Sequence, residues 1–345
     1  IPFPFFFFFL FIISFSAGST ANANAGSESV TKFTHKIWIG SNGSINWISI
    51  PNAFASNGAA SIATKFGIPQ LIIGLTIVAM GTSAPEAAVS ITAAAGGNAD
   101  ITIGNVVGSN ILNIFVILGL TALVNPVVVQ KSSLIVDIPV VIGITAMIFV
   151  MGLDGSISRF DAVIMLIVLA SYLVYLIWDA KRSKALGLET NEDSEEIKNL
   201  SLPKSLIFTV IGLALIVAGS NCVVEGATFI AEKAGLSERF IGLTIVALGT
   251  SLPELFTSVT AAMKKNSDIA VGNILGSNIF NILFVVGLSG LIIPVPFQSA
   301  FRFDTIVSEI AAILLLLFSI PKKRLSRVAG IIFLICYAVY FYMIW

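Results

Sequence analysis

Two acidic residues lie in apolar segments, each directly after a proline, in the sequences GTSAPE (81–86) and GTSLPE (249–254). A carboxylate within a membrane span is costly, so it should face a partner or a water-filled cavity. Pro85 and Pro253 lack an N–H and crowd the carbonyl four residues back, which predicts a kink or an unwound turn in each helix. Carbonyls freed in this way need partners inside a bilayer, and a bound cation is one such partner.

A second set of polar side chains lies on the helix that follows each glutamate. Ser109 and Asn113 are four residues apart and share a helix face, and Ser277 and Asn281 repeat this spacing. With the two glutamates they supply carboxylate, hydroxyl and amide oxygens and no sulfur, a set suited to a hard cation. Two carboxylates are neutralised by one divalent ion or by two monovalent ions, which is a physical basis for exchange. A protonated structural acid is the alternative for each glutamate taken alone.

The segments that carry these residues are those of a polytopic membrane protein. Of 345 residues, 56% are hydrophobic and only 11% are charged, whereas about a quarter are charged in a soluble domain. The net charge is zero, which gives no electrostatic case for a nucleic-acid partner. A weak further span is predicted at 45–66. The clear predicted spans, each of roughly 20 apolar residues, are 68–94, 101–125, 133–152, 160–178, 205–232, 239–262, 269–293, 304–320 and 327–345.

Both polar motifs belong to an internal repeat with an offset of 168 residues. Residues 73–120 and 241–288 are identical at 29 of 48 positions without a gap, and polar positions match best. Upstream matches pair the weak span with 205–232, so each half has five spans. An odd number turns the second half upside down, an arrangement typical of secondary transporters. The predicted fold class is therefore an all-α polytopic membrane protein with ten transmembrane helices as two inverted five-helix repeats.

The predicted organisation has four parts. Residues 1–44 resemble a signal peptide that lacks a basic start, or a wrongly assigned gene start. Residues 45–180 form the first five-helix repeat, 181–203 an acidic loop, and 204–345 the second five-helix repeat. Thirteen basic residues fall on the side of the loop and six on the other side. This distribution predicts a cytoplasmic loop in a multi-pass protein of the cell (inner) membrane.

The repeated motifs GTS-x-PE and GN-x-x-GSN-I-x-N resemble the alpha-1 and alpha-2 repeats of the sodium/calcium exchanger family, of the prokaryotic type, within the calcium/cation antiporters. The resemblance covers about 58–345 and implies four ion sites between helices 2, 3, 7 and 8. The implied calcium ligands are Glu86 and Glu254 with the carbonyls of Thr82 and Thr250, and Asn113 and Asn281 would line the centre. The implied sodium ligands are Ala79, Thr82, Ser83 and Ser109 in one half and Ala247, Thr250, Ser251 and Ser277 in the other.

The predicted function is secondary antiport of calcium against sodium by alternating access at a midplane site, with helices 1 and 6 closing either pathway. No enzyme activity and no cofactor are expected, the transported ions are Ca²⁺ and Na⁺, and the chain is expected to be a monomer in the lipid bilayer. Potassium-dependent relatives carry Asp at the position of Asn281, so this residue favours potassium independence. A calcium/proton antiporter and a cation channel are the alternatives. A non-transporting fragment is another, because residues 1–57 lack the family's apolar first helix.

Overall fold

The computed structural model describes residues 58, 61–62, 65, 68–97, 99–185, 201–212, 214–215 and 247–344. The predicted segment 1–44, nearly all of the weak span 45–66, most of 205–232 and the middle of the loop 181–203 lie outside the described residues. Within the described part, the chain is helical except for short connections and two-residue strands. The all-α prediction is confirmed.

The first repeat contributes five described helices. The bent pair α1–α2 corresponds to the predicted span 68–94, and α5 runs past the predicted end of its span at 178. The helices are α1 (Gln70–Thr82), α2 (Ala84–Ala95), α3 (Asp100–Leu112, continued by a π-helical segment Asn113–Leu118 and by Gly119–Val124), α4 (π-helical Ser133–Asp137 followed by Ile138–Met151) and α5 (Arg159–Ala185).

The second repeat mirrors this order. The π-helical segments of the third helix in each repeat begin at Asn113 and at Asn281, which are 168 residues apart. The helices are α6 (Leu202–Gly212), α7 (Ala247–Thr250), α8 (Leu252–Met263), α9 (Ser267–Phe280, continued by π-helical Asn281–Val286 and by Gly287–Ile292), α10 (Ser299–Ser319) and α11 (Arg327–Ile344). By length and composition, five described helices can cross a membrane, and α1–α2 can form a sixth, bent span.

The predicted helix breaks are present in both repeats. The axes of α1 and α2 differ by 50°, and the residue between them, Ser83, has φ −82° and ψ 8°. Ser251 separates α7 from α8 with nearly the same dihedrals, φ −87° and ψ 3°. In each case the proline occupies the first turn of the helix that follows, where its missing N–H is tolerated. The break therefore follows from the GTS-x-PE motif itself.

Two pairs of short strands show that the repeats are inverted. The strands β1 (Val127–Val128) and β2 (Ser156–Ile157) lie at opposite ends of α4, a span of 22 residues and hence about 33 Å long. Strand β1 pairs antiparallel with β4 (Arg324–Leu325), and β2 pairs with β3 (Val295–Pro296). Since β3 and β4 are the repeat equivalents of β1 and β2, each strand lies across the membrane from its own equivalent.

Helix α9 packs against α1 at backbone contact distance. A Cβ atom added to Gly276 would lie 2.5 Å from the carbonyl oxygen of Leu75, and one added to Gly272 would lie 2.7 Å from that of Leu71. Only glycine permits this approach, which is typical of small-residue pairs spaced four apart in membrane helices. The contact holds the broken helix of one repeat against the polar helix of the other.

Candidate ion-binding site

The two motif glutamates are completely buried, and each is held by a serine from the opposite repeat. Ser83 Oγ donates a hydrogen bond to Glu254 Oε1 at 2.8 Å, and Ser251 Oγ donates to Glu86 Oε1 at 3.2 Å. Both serines are the break residues between the paired helices. Because each serine is three residues before the glutamate of its own repeat, this exchange brings both carboxylates to the interface between the repeats.

The remaining oxygen of each carboxylate is free to bind a ligand. Oε2 of Glu86 and Oε2 of Glu254 are buried and have no hydrogen-bond partner among the described residues. Buried polar atoms are paired in most proteins, so an unpaired carboxylate oxygen needs an ion, a proton or water. Both free oxygens follow a helix break, where the proline leaves the carbonyl four residues earlier without its helical donor.

Side chains of α3 and α9 add further buried acceptors. Asn113 and Asn281 are at most 1% exposed, and their side-chain oxygens have no partner in the described part of the chain. The same holds for Ser109 Oγ. Ser277 differs, because its hydroxyl donates to Glu254 Oε1 at 3.2 Å. The two halves of the site are therefore related by the repeat but are not identical.

The other predicted ligands lie at the helix breaks. Thr82 is buried, and its hydroxyl donates to Asn273 Oδ1 at 3.0 Å and to the Ala79 carbonyl at 3.2 Å. The Ala79 carbonyl also accepts the Ser83 N–H at 2.9 Å. Thr250 is buried and Ala247 begins α7. Backbone oxygens at these positions lie one turn before the glutamates, close to the break.

Two asparagine pairs complete the site and were not among the predicted residues. Asn105 Nδ2 donates to the backbone carbonyl of Glu86 at 3.2 Å, and Asn273 Nδ2 donates to that of Glu254 at 3.4 Å. A second pair, Asn110 and Asn278, links α3 to α9. All four belong to the GN-x-x-GSN-I-x-N motif, so their identity at the repeat offset was the available signal.

The arrangement is a buried set of oxygen ligands built from both repeats. Carboxylate, hydroxyl and amide oxygens are the ligands that Ca²⁺ and Na⁺ accept, whereas softer metals prefer sulfur or imidazole. The described residues contain no cluster of three or more His, Cys, Asp or Glu side chains that could hold a metal. A cation at this site would therefore depend on neutral oxygens as well as on the two carboxylates.

Comparison with known proteins agrees with this geometry. Residues 36–178 and 204–345 each match the family model for sodium/calcium exchanger proteins. The inner membrane protein YrbG of Escherichia coli is 40% identical over 240 residues, which cover 68% of this chain and 74% of YrbG. The sodium/calcium exchanger MaX1 of Methanosarcina acetivorans is 31% identical over 318 residues, covering 82% of this chain and 91% of MaX1.

A solved structure has the same fold. The sodium-calcium exchanger NCX_Mj, soaked with Na⁺ and Ca²⁺, superimposes with a TM-score of 0.73 at 31% identity, over 85% of this chain and 93% of that one. The family prediction and the two-repeat, all-helical membrane fold are thereby confirmed. The chain is a multi-pass membrane antiporter that belongs to the sodium/calcium exchanger family.

Proposed function

We propose that this protein exchanges Ca²⁺ for Na⁺ across the membrane by alternating access at the buried site between α1–α2, α3, α7–α8 and α9. The carboxylates carry the divalent ion, and hydroxyl and carbonyl oxygens around them carry sodium. The proposed ligands are Glu86, Glu254, Thr82, Thr250, Ser83, Ser251, Ala79, Ala247, Ser109, Ser277, Asn113 and Asn281.

The observation that carries this proposal is the exchange of serine hydrogen bonds between the repeats. Ser83 and Ser251 each bind the glutamate of the other repeat, so both carboxylates belong to one buried site. Two ionised carboxylates in a low-dielectric interior repel each other and need positive charge. One calcium ion or two sodium ions neutralise them, whereas the ion-free site stays charged. A charged site resists movement through the bilayer, and this makes the exchange obligatory.

The serine hydroxyls explain how sodium and calcium can compete for the same ligands. A hydroxyl that donates to a carboxylate occupies an oxygen lone pair that a cation would otherwise use. A sodium ion bound to the serine oxygen turns the hydroxyl proton away from the carboxylate. The ligands of the two ions therefore overlap, and loading with one weakens binding of the other.

The distribution of charge supports a cytoplasmic position for the β1–β4 end of the protein. Helix α5 also ends on that side, so the loop 186–200 begins there. The opposite end, around β2 and β3, carries Arg159 and Arg302 together with Asp154 and Asp161. Cytoplasmic segments are enriched in Lys and Arg. The basic residues around β1–β4 are Lys131, Lys264, Lys265, Lys322, Lys323, Arg324 and Arg327.

A calcium/proton antiporter is the second candidate. It is favoured by the complete burial of Glu86 and Glu254, whose Oε2 atoms have no partner in the described residues. A buried carboxylate without a cation readily takes a proton. In that case the glutamates would carry both the calcium ion and the counter-ions.

The experiment is radiolabelled calcium uptake into proteoliposomes under separately imposed gradients. An outward sodium gradient without a pH difference should drive uptake, and an outward potassium gradient should not. Uptake driven only by a pH gradient would replace sodium with protons. Uptake that depends on neither counter-ion would indicate a channel, and absence of any flux would favour a non-transporting chain. The monomeric state stays a prediction for cross-linking to test.

A further inference from the structure

Asn110 and Asn278 form a reciprocal amide pair across the interface between the repeats. Asn110 Nδ2 donates to the backbone carbonyl of Asn278 at 3.2 Å, and Asn278 Nδ2 donates to that of Asn110 at 3.5 Å. The pair ties α3 to α9 at the level of the site. Asn110 is 1% exposed and Asn278 is 0% exposed, so water does not compete for these bonds.

The side-chain oxygens of this pair hold the two central asparagines of the site. Asn113 Nδ2 donates to Asn278 Oδ1 at 2.9 Å, and Asn281 Nδ2 donates to Asn110 Oδ1 at 3.2 Å. Each central asparagine is thus bound by the opposite repeat and not by its own helix. An amide has one donor end and one acceptor end, so fixing the NH₂ group fixes where the oxygen points.

We propose that Asn110 and Asn278 are positioning residues that keep the amide oxygens of Asn113 and Asn281 turned toward the ion. The inference rests on the proposed function, because it assigns the unpaired Oδ1 atoms of the central asparagines to cation binding. If the pair were absent, either amide could rotate by half a turn and present its NH₂ group to the cation. That orientation replaces an attractive dipole with a repulsive one.

The proposal predicts a crossed pattern of energetic coupling. Removing Asn278 should matter through Asn113, which it holds, and not through Asn281, which lies three residues away on the same helix. Removing Asn110 should matter through Asn281 and not through Asn113. A residue that merely packs α3 against α9 would disturb both central asparagines alike.

The test is a set of double-mutant cycles on calcium binding to the purified full chain in detergent, with radiolabelled calcium as the probe. Asn278→Ala should weaken binding by about fivefold, the effect of one neutral hydrogen bond. In an Asn113→Ala background this loss should disappear, because no amide remains to be oriented. In an Asn281→Ala background the fivefold loss should persist. Asn110→Ala should give the mirror pattern.

The outcomes separate this inference from the proposed function. If the wild type shows no sodium-driven calcium exchange in proteoliposomes, the proposed function fails first. If exchange is present but the cycles are additive, or couple residues of the same helix, the positioning role is overturned. Asn278→Ser and Asn110→Ser serve if the alanine variants do not elute as folded protein. Loss of folding in both series would make the pair part of the structural framework and would also overturn the proposal.

Discussion

Replacing Glu254 with glutamine tests the site with the smallest change in shape. Glutamine keeps the side-chain oxygen that accepts hydrogen bonds from Ser83 at 2.8 Å and from Ser277 at 3.2 Å. It also keeps the volume of a residue that is 0% exposed. We therefore expect Glu254→Gln to fold normally and to lose only the charge at the free oxygen.

The expected loss of calcium affinity follows from Coulomb's law. A calcium ion about 2.4 Å from a carboxylate oxygen gains roughly 14 kcal/mol at an effective dielectric constant near 20, and a sodium ion gains half of that. Dehydration of the ion offsets most of this energy. Even if a fifth remains, about 3 kcal/mol, its removal raises the calcium Kd by about 100-fold. Sodium loses less because its charge is smaller, so the variant should be impaired more for calcium.

The assay is calcium uptake by proteoliposomes driven by an outward sodium gradient, together with equilibrium binding of radiolabelled calcium. Glu86→Gln should behave in the same way, because the repeats place both acids in one site. The matched control is Glu309→Gln, the same substitution at a half-buried acid within α10, which should transport normally. Wild-type uptake in either Glu86→Gln or Glu254→Gln would refute the assignment, provided that the protein elutes as a single folded species.

Three further predictions address other parts of the molecule. Asn281→Asp should change the dependence of calcium flux on sodium and potassium, and an unchanged ion profile would remove the argument for potassium independence. Gly276→Ala should lower the free energy of unfolding by about 1–3 kcal/mol through overpacking against α1, whereas Gly143→Ala, with no atom within 4 Å of the added Cβ, should leave the thermal midpoint nearly unchanged. In a cysteine-free background, a membrane-impermeant maleimide added to intact cells should label Arg302→Cys but not Lys323→Cys; the reverse pattern would contradict the proposed orientation.

Several features of the site were predictable because they depend on local chemistry. Prolines at 85 and 253 prevent a regular helix wherever they occur, and the structure has its breaks directly before them, at Ser83 and Ser251. The spans follow from apolar length, which is a local property too. The constant offset of 168 residues further indicated which positions are equivalent, and an odd number of spans indicated the inversion that the strand pairs display.

The sequence by itself thus determined the membrane class, the two repeats, the helix breaks and the candidate ligands. The tertiary structure decided which of these groups meet: Ser83 reaches Glu254, and Asn278 holds Asn113. Equivalence at a fixed offset says that two residues have the same surroundings, but not that either contacts the other's repeat. That depends on how far each side chain lies from the interface between the repeats, a distance set by the close packing of α1 and α9 and by the rotation of one repeat against the other.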